Sequence, residues 1–199
     1  MKKTLLIISV IINIALMACL AATYKDKIKN ALVDKYSVVF FGDSLTANGD
    51  WSKLTGNSDT RRSGFPGFTS SHLVWLLQDN VIKYNPDTCY IMAGVNDVAV
   101  GIPLKRVQEN YSNIVDSLLS YDIFPVIQST LYTSNDKNNV LIDSLNQYLI
   151  VLAKSKGVKF LDVNSVMSKN KQIISAYSTD GVHLNKTGYN KWAEYLNSN

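Results

Sequence analysis

Three residues of this sequence have the types that nucleophilic catalysis uses, and two of them lie close together in the chain. Ser44 follows Gly42 and Asp43, and Asp180 stands three residues before His183. A serine hydroxyl becomes a nucleophile when a neutral imidazole takes its proton, and a carboxylate on the other ring nitrogen orients that imidazole. In a loop or a helical turn, the spacing of Asp180 and His183 lets the carboxylate lie beside the ring. We therefore predict a catalytic triad of Ser44, His183 and Asp180.

Acyl transfer also requires hydrogen-bond donors for the oxyanion of its tetrahedral intermediate. The backbone amide of Ser44 is one candidate, and the side-chain amide group of Asn96 is another. A glycine supplies a third, because a residue without a Cβ lets its N–H approach a substrate closely. Gly64 and Gly67 both lie in the segment that would supply this glycine. Spacing alone leaves the choice between them open.

Apolar runs of strand length alternate with amphipathic segments of helix length along most of the chain. This alternation predicts βαβ units and a parallel sheet that is covered on both faces. Right-handed crossovers leave few topologies, and a five-stranded three-layer α/β/α sandwich is the simplest of them. In such sheets, sites lie at the carboxyl ends of the strands. The predicted strands are 37–41, 60–63, 88–93, 123–129 and 158–163, and the predicted helices are 70–84, 103–120, 138–156 and 186–196.

Four short blocks of this sequence, taken in order, resemble those of the SGNH (GDSL-type) hydrolase family. The blocks are Gly42–Leu45, Gly67, Gly94–Asp97 and Asp180–His183, and the resemblance runs from about residue 37 to the end of the chain. The first block alone is a weak signal, but four blocks in order, each at an element boundary, are a specific one. The resemblance implies a single α/β domain with the flavodoxin-like SGNH hydrolase fold.

The resemblance also implies a role for each residue of these blocks. Ser44 would be the nucleophile, His183 the base and Asp180 the residue that orients it, with no metal or organic cofactor. The oxyanion hole would comprise the Ser44 amide, the Gly67 amide and the Asn96 side chain, while Asp43 and Asp97 would support the loops. Gly67 is preferred over Gly64 because Gly67-x-Thr69 resembles the family's block. Arg62 departs from the pattern, since the family often carries an asparagine at that position.

The implied activity is hydrolysis of carboxylic esters through an acyl-enzyme. Gly49-Asp50-Trp51 soon after the nucleophile resembles the acetylhydrolase and carbohydrate acetylesterase branches, so the expected substrate is a small acyl ester or an O-acetylated carbohydrate. Three alternatives stay open: a lipid hydrolase of the lysophospholipase or thioesterase kind, an O-acyltransferase, and an inactive glycan-binding module. The sequence does not fix the acyl length or the oligomeric state.

The remaining aromatic and histidine residues have simpler interpretations. We expect Trp51, Trp75 and Trp192 to pack in the core rather than bind sugar rings. Trp51 is also a candidate for the rim of the pocket, because it follows the nucleophile closely. We expect His72 to be structural and Cys89, in an apolar strand, to be a small core residue.

The N-terminal segment predicts export from a bacterial cell. Lys2 and Lys3 precede an apolar run from Leu5 to Ala22, which is typical of a secretory signal and near the length that spans a bilayer. Leu16–Cys19 resembles a lipobox, so Cys19 acylation, an uncleaved anchor and a cleaved signal all remain open.

The whole chain comprises, on this interpretation, a signal or anchor (1–23), a tether (24–35) and one hydrolase domain (36–199). Its length of 199 residues suits one sizeable core rather than two domains. The net charge of +4 is mild and no dense Lys/Arg block occurs, so nucleic acid is not an expected partner. Contact with a membrane is expected only through the N-terminal segment.

Overall fold

A computed structural model of this chain describes residues 2–31 and 35–199, which fall in two separate compact units. The first unit contains helix α1 (Lys2–Ala31), and the second contains every other described helix and strand. Among the described residues, no helix is both long enough and apolar enough to cross a membrane. The roles predicted for residues 1–23 and 24–35 fall on α1 and on residues outside the described ranges, and they remain predictions.

Five parallel strands form the central sheet of the second unit, in the order β2-β1-β3-β4-β5. The prediction of a five-stranded parallel sheet is confirmed, including the weakly patterned second strand. β1 is built from Val-Val-Phe-Phe, residues that suit a strand buried on both faces. Two further short strands, β6 and β7, form a separate antiparallel pair. The strands are β1 (Val38–Gly42), β2 (Thr60–Gly64), β3 (Thr88–Met92), β4 (Phe124–Gln128), β5 (Lys159–Leu161), β6 (Ser168–Lys169) and β7 (Gln172–Ile173).

The helices of the second unit are of two kinds. Four are long and amphipathic and match predicted helices, whereas four have only four or five residues, too few to show a helical period in the sequence. The helices are α2 (Ser44–Ala47), α3 (Trp51–Thr55), α4 (Ser70–Asn80), α5 (Val95–Ala99), α6 (Leu104–Ser120), α7 (Asp136–Lys156), α8 (Asn164–Met167) and α9 (Lys186–Asn197).

The predicted helix over 70–84 is wrong at its end. α4 stops at Asn80, Val81 leaves helical geometry, and a short 3-10 helix follows at Ile82–Tyr84. The break turns Val81 and Ile82 into the core, where their side chains are buried. Burial of these two apolar side chains therefore overrides the continued helical pattern.

Two hydrophobic clusters cover the two faces of the sheet. Val39 and Phe41 of β1 belong to one cluster, with residues of α4, α6 and α7, and Phe40 belongs to the other, with residues of α3, α8 and α9. This split follows from the alternation of side chains along a strand. Cys89 is fully buried in the first cluster, as predicted. The three-layer α/β/α sandwich is therefore confirmed.

Three neighbouring strands end in register and bring the predicted site residues to one edge of the sheet. Gly42, the last residue of β1, pairs with the last residue of β2 on one side and of β3 on the other. The segments that leave these strands carry Ser44, Gly67 and Asn96. These three residues therefore lie near the same edge of the sheet, although they are distant in the chain.

Candidate active site

Ser44 lies at the sharp turn between β1 and α2. A Cβ at Gly42 would overlap the carbonyl of Met92, so only glycine allows β1 to end this close to β3. Asp43 caps α2, because its Oδ1 accepts a hydrogen bond from the Leu45 amide at 2.9 Å. Ser44 is the first residue of α2 and is only 6% exposed. The turn thus holds its side chain at the point where the chain leaves the sheet.

The structure brings Ser44, His183 and Asp180 into one chain of hydrogen bonds. The Ser44 Oγ lies 3.1 Å from His183 Nε2, and His183 Nδ1 lies 2.7 Å from Asp180 Oδ2. A carboxylate accepts and does not donate, so the proton of the neutral ring belongs on Nδ1, and Nε2 is left to accept the serine proton. This geometry suits a nucleophile, its base and the carboxylate that orients the base.

Asp180 fixes both the ring and the backbone of the loop that carries His183. Its Oδ1 accepts hydrogen bonds from the Val182 amide at 2.9 Å and the His183 amide at 2.7 Å. The hydrogen bond to the His183 ring and then these two amides lower the pKa of Asp180 from 3.8 to about 2. The carboxylate is therefore ionised at neutral pH.

A second contact, which the sequence did not predict, holds the same loop from the other side. Gly181 has a φ of +86°, and its carbonyl accepts a hydrogen bond from the Ser134 amide at 2.8 Å. A Cβ at Gly181 would overlap the Ser134 side chain. Ser134 belongs to no motif, so nothing in its sequence neighbourhood indicates this role.

The three predicted oxyanion donors follow the ends of three neighbouring strands, since Ser44 begins α2, Asn96 lies in α5 and Gly67 lies in a loop. Gly67 is exposed in the loop between β2 and α4 and has a φ of +76°. Within the described residues, the amides of Ser44 and Gly67 donate no hydrogen bond to another backbone group. The Asn96 side chain donates to the carbonyl of Phe68, next to Gly67, at 2.9 Å, which leaves its second N–H for another acceptor. All three groups are thus available to receive an oxyanion.

The geometry favours Gly67 over Gly64 as the glycine donor. A Cβ at Gly64 would overlap the backbone of Ala47, so this glycine allows β2 to pack against the end of α2. At Gly67 an added Cβ would meet nothing within 4 Å. Gly64 is therefore a packing residue, whereas Gly67 borders open space.

Asp97 anchors the start of α4 beside the Gly67 loop. It is fully buried, and it accepts hydrogen bonds from the Ser70 amide at 2.9 Å and the Ser70 hydroxyl at 2.6 Å. Asn110 donates to the same hydroxyl at 2.9 Å. Burial raises the pKa of Asp97, while the bonds from Ser70 lower it. Sequence reasoning missed Ser70 and Asn110, because these polar residues lie within ordinary amphipathic helices.

Asp43 supports the nucleophile turn from a fully buried position. Its Oδ2 has no hydrogen-bond partner within the described part of the chain. Burial raises the pKa of Asp43 from 3.8 to about 7, and the nearby Asp97 carboxylate raises it as well. This carboxyl group is therefore partly protonated near neutral pH.

The structure corrects two of the interpretations of tryptophan residues. Trp51 is 1% exposed and stacks on Phe40 with ring centroids 4.2 Å apart, so its proposed place on the pocket rim is wrong. Trp75 is 87% exposed on α4, so its predicted place in the core is wrong. It occupies the outward side of α4, whose buried side carries Leu73 and Leu77. Trp192 is fully buried, as expected.

His72 has a structural role at the start of α4. Its Nδ1 accepts a hydrogen bond from the Thr69 amide at 3.2 Å and completes a capping box. Among the described residues, no group of three or more His, Cys, Asp or Glu side chains could hold a metal ion.

Comparison with known proteins finds related sequences for this chain. The model of the GDSL-like Lipase/Acylhydrolase family matches residues 40–191, a range that contains every predicted site residue. The N-acylneuraminate cytidylyltransferase of Streptococcus agalactiae is 26% identical over 108 residues, which cover 53% of this chain and 26% of that protein. The chain thus spans far less than the length of this relative. The isoamyl acetate-hydrolyzing esterase 1 homolog of Rattus norvegicus is 25% identical over 189 residues, covering 76% of each chain.

Solved structures of other proteins have the same fold. A candidate acylhydrolase from Bacteroides fragilis superposes with a TM-score of 0.74 at 25% sequence identity. The superposition covers 85% of this chain and 91% of that one. The same three-layer architecture therefore recurs in a protein of similar size.

Proposed function

The chain belongs to the GDSL-like lipase/acylhydrolase family, and we propose that it is a serine esterase that removes short acyl groups, chiefly O-acetyl groups on carbohydrate. The observation that carries this proposal is the chain of hydrogen bonds from Ser44 to His183 to Asp180, at 3.1 and 2.7 Å. A complete nucleophile, base and orienting carboxylate favours catalysis over an inactive glycan-binding module.

The proposed reaction has two steps. Ser44 Oγ attacks the ester carbonyl while His183 Nε2 takes the serine proton, and the developing oxyanion accepts hydrogen bonds from the Ser44 amide, the Gly67 amide and Asn96. His183 then gives the proton to the leaving alcohol, and the acyl group remains on Ser44. Water activated by His183 attacks this acyl-enzyme and releases the acid. The ionised Asp180 stabilises the imidazolium in both steps.

Two observations support a short acyl group on a larger alcohol. The site is open, since the side chains of His183 and Asp180 are 40% and 53% exposed and Gly67 is exposed as well. One relative also acts, by its name, on an acetate ester. The resemblance of Gly49-Asp50-Trp51 to the carbohydrate acetylesterase branch also supports a short acyl group on a sugar.

The experiment compares p-nitrophenyl acetate with p-nitrophenyl octanoate, using the intact chain, Ser44→Ala and Asp180→Asn. We expect kcat/KM for acetate well above that for octanoate. Ser44→Ala should reduce kcat by at least about 10⁴-fold, because among the described residues the Ser44 hydroxyl is the one that contacts His183 Nε2. Asp180→Asn should reduce kcat on the order of 10³- to 10⁴-fold with little change in KM, because it disturbs the tautomer and the imidazolium.

The other outcomes each reject a part of the proposal. Activity that survives Ser44→Ala would mean that the nucleophile is another residue. A preference for octanoate would retain the triad and move the substrate to lipids or thioesters. Release of p-nitrophenol that requires an added sugar acceptor, with the acyl group recovered as an ester of that sugar, would indicate an acyltransferase. Glycan binding without turnover by folded protein would support the inactive module.

A further inference from the structure

Gly67 lies in a tight turn that is flanked by two phenylalanine rings. Phe65-Pro66-Gly67-Phe68 forms a β-turn, in which the Phe68 amide donates to the Phe65 carbonyl at 3.2 Å. Proline in second place and glycine in third, with a φ of +76° at Gly67, are typical of a type II turn. The rings of Phe65 and Phe68 stack with their centroids 5.6 Å apart. The turn therefore presents the Gly67 amide between two residues that pack against each other.

Phe68 connects this turn to a second predicted oxyanion donor. Its carbonyl accepts a hydrogen bond from the Asn96 side-chain amide at 2.9 Å. The two N–H bonds of that amide group lie in one plane at a fixed angle, so a partner for the first N–H also sets the direction of the second. The position of the Phe68 carbonyl therefore determines where Asn96 aims its remaining donor.

His72 holds the other side of the same peptide group from the first turn of α4. Its Nδ1 accepts a hydrogen bond from the Thr69 amide at 3.2 Å, and its ring packs on the Phe68 ring with the centroids 4.8 Å apart. The Phe68 carbonyl and the Thr69 N–H belong to one planar peptide unit, which moves as a rigid body. His72 thus fixes on one side the peptide group that orients Asn96 on the other.

We propose that His72 is a positioning residue of the active site, which holds the Phe68–Thr69 peptide group and through it aims the Asn96 side-chain amide at the oxyanion. The inference rests on the proposed esterase function and adds a residue to that same site. His72 contacts neither the substrate nor the reacting atoms in this arrangement. Because the oxyanion develops only on the way to the tetrahedral intermediate, loss of this alignment should lower kcat and leave KM almost unchanged.

The first test measures kcat and KM for p-nitrophenyl acetate. His72→Ala should lower kcat about tenfold, because loss of a whole oxyanion donor costs about 10²- to 10³-fold and a misdirected donor loses part of that. His72→Asn places an acceptor oxygen near the position of Nδ1 and should keep kcat within about threefold of the wild type. Trp75→Ala removes an exposed ring from the same helix and should leave kcat and KM unchanged.

A double-mutant cycle with Asn96→Ala separates this role from a general effect on folding. If His72 acts through Asn96, His72→Ala should lower kcat by less than about threefold once residue 96 has lost its amide group. A purely structural role at the start of α4 would instead give the same fold-change in both backgrounds, and that result would overturn the inference. Equal kcat for His72→Ala and the wild type would overturn it as well.

A second measurement does not depend on activity. The side-chain amide signals of Asn96 are assigned in proton–nitrogen correlation NMR spectra by their loss in Asn96→Ala. His72→Ala should shift these signals, whereas Trp75→Ala should leave them in place. If no ester is hydrolysed, the proposed function fails, and this measurement alone decides whether His72 orients Asn96. Unshifted Asn96 signals in His72→Ala would overturn the inference.

Discussion

Two carboxyl groups at the site have the same chemistry and opposite environments. Asp180 lies on an exposed loop and accepts three hydrogen bonds from Val182 and His183, which lower its pKa to about 2. Asp43 is buried with one oxygen unpaired, and burial raises its pKa to about 7. Hydrogen bonds favour the charged form of a carboxyl group, whereas removal from water disfavours it. In the proposed mechanism, the negative charge that orients His183 is therefore on Asp180, whose ionised form is stabilised by solvent and by backbone amides.

The raised pKa of Asp43 predicts a pH-dependent stability. Below its ordinary value of 3.8, both folded and unfolded chains hold the proton, and Asp43 has no effect. As the pH rises to about 7, the unfolded chain releases the proton first, so folding loses stability, by about 4 kcal/mol in total. Asp43→Asn should therefore gain stability relative to the wild type between pH 4 and pH 8, as measured by urea unfolding.

The control for this experiment is an exposed carboxylate. Asp79→Asn removes one negative charge at an exposed position of α4, and its stability difference from the wild type is subtracted at each pH to correct for the general effect of charge. An equal difference at both pH values for Asp43→Asn would contradict the prediction.

At the scale of the elements, the site depends on how closely three strand ends approach each other. Gly42 lets β1 end against β3, and Gly64 lets β2 end against α2. These contacts fix the starting points of the segments that carry Ser44, Gly67 and Asn96. Beyond Gly67, the buried bond between Asp97 and Ser70 holds the start of α4. Backbone contacts at the strand ends thus position the predicted oxyanion donors, because the elements at the two ends of a segment restrict its conformation.

The two candidate glycines should respond differently to substitution. Gly64→Ala should lower the free energy of unfolding by about 1–3 kcal/mol, since backbone atoms of Ala47 occupy the space of the new methyl group. Gly67→Ala should cost about 1–2 kcal/mol for its left-handed conformation, but it should also lower kcat, because it shifts an oxyanion donor. Urea unfolding and p-nitrophenyl acetate kinetics measure both effects.

Gly157→Ala is the matched control for Gly67→Ala. Gly157 ends α7 with a φ of +66° and open space around it, so it carries the same backbone strain outside the site. It should lower stability without lowering kcat. Equal kcat for Gly67→Ala and Gly157→Ala would mean that the Gly67 amide is not an oxyanion donor.

At the scale of the whole molecule, the residues of the proposed active site all belong to one compact unit. Lys35–Asn199 contains the sheet, both of these hydrophobic clusters and the three residues of the proposed triad. Two cores on opposite faces of one sheet give this unit a complete interior of its own. The N-terminal segment remains a prediction of export, with Cys19 acylation, an anchor and cleavage as its possible fates.

This division predicts how a shortened chain will behave. Residues 35–199 alone should unfold in one cooperative transition and hydrolyse p-nitrophenyl acetate with kcat/KM close to that of the full chain. In a bacterial host, the full chain should be found in the membrane or outside the cytoplasm, and the shortened chain in the cytoplasm. Cell fractionation with activity assays measures this, and a full chain that stays in the cytoplasm would contradict the prediction of export.

The sequence by itself determined the architecture and the identity of the candidate triad. Burial of a strand or an amphipathic helix leaves a periodic pattern over 5 to 20 residues, so the alternation of strands and helices predicts the parallel sheet. Residue types and their order at strand ends, such as Ser44 and His183, indicate the chemistry before any distance is known. Short segments are enough to predict these features, because burial period and residue type are both visible within a segment, although the contacts themselves join residues distant in the chain.

Only the tertiary structure decided the features that depend on residues far apart in sequence. The burial of Trp51, the exposure of Trp75 and the pKa of Asp43 depend on what packs against each side chain. The choice of Gly67 over Gly64 depends on the backbone of α2. No local pattern records such contacts, because the same short segment can be buried or exposed according to what the rest of the chain places beside it.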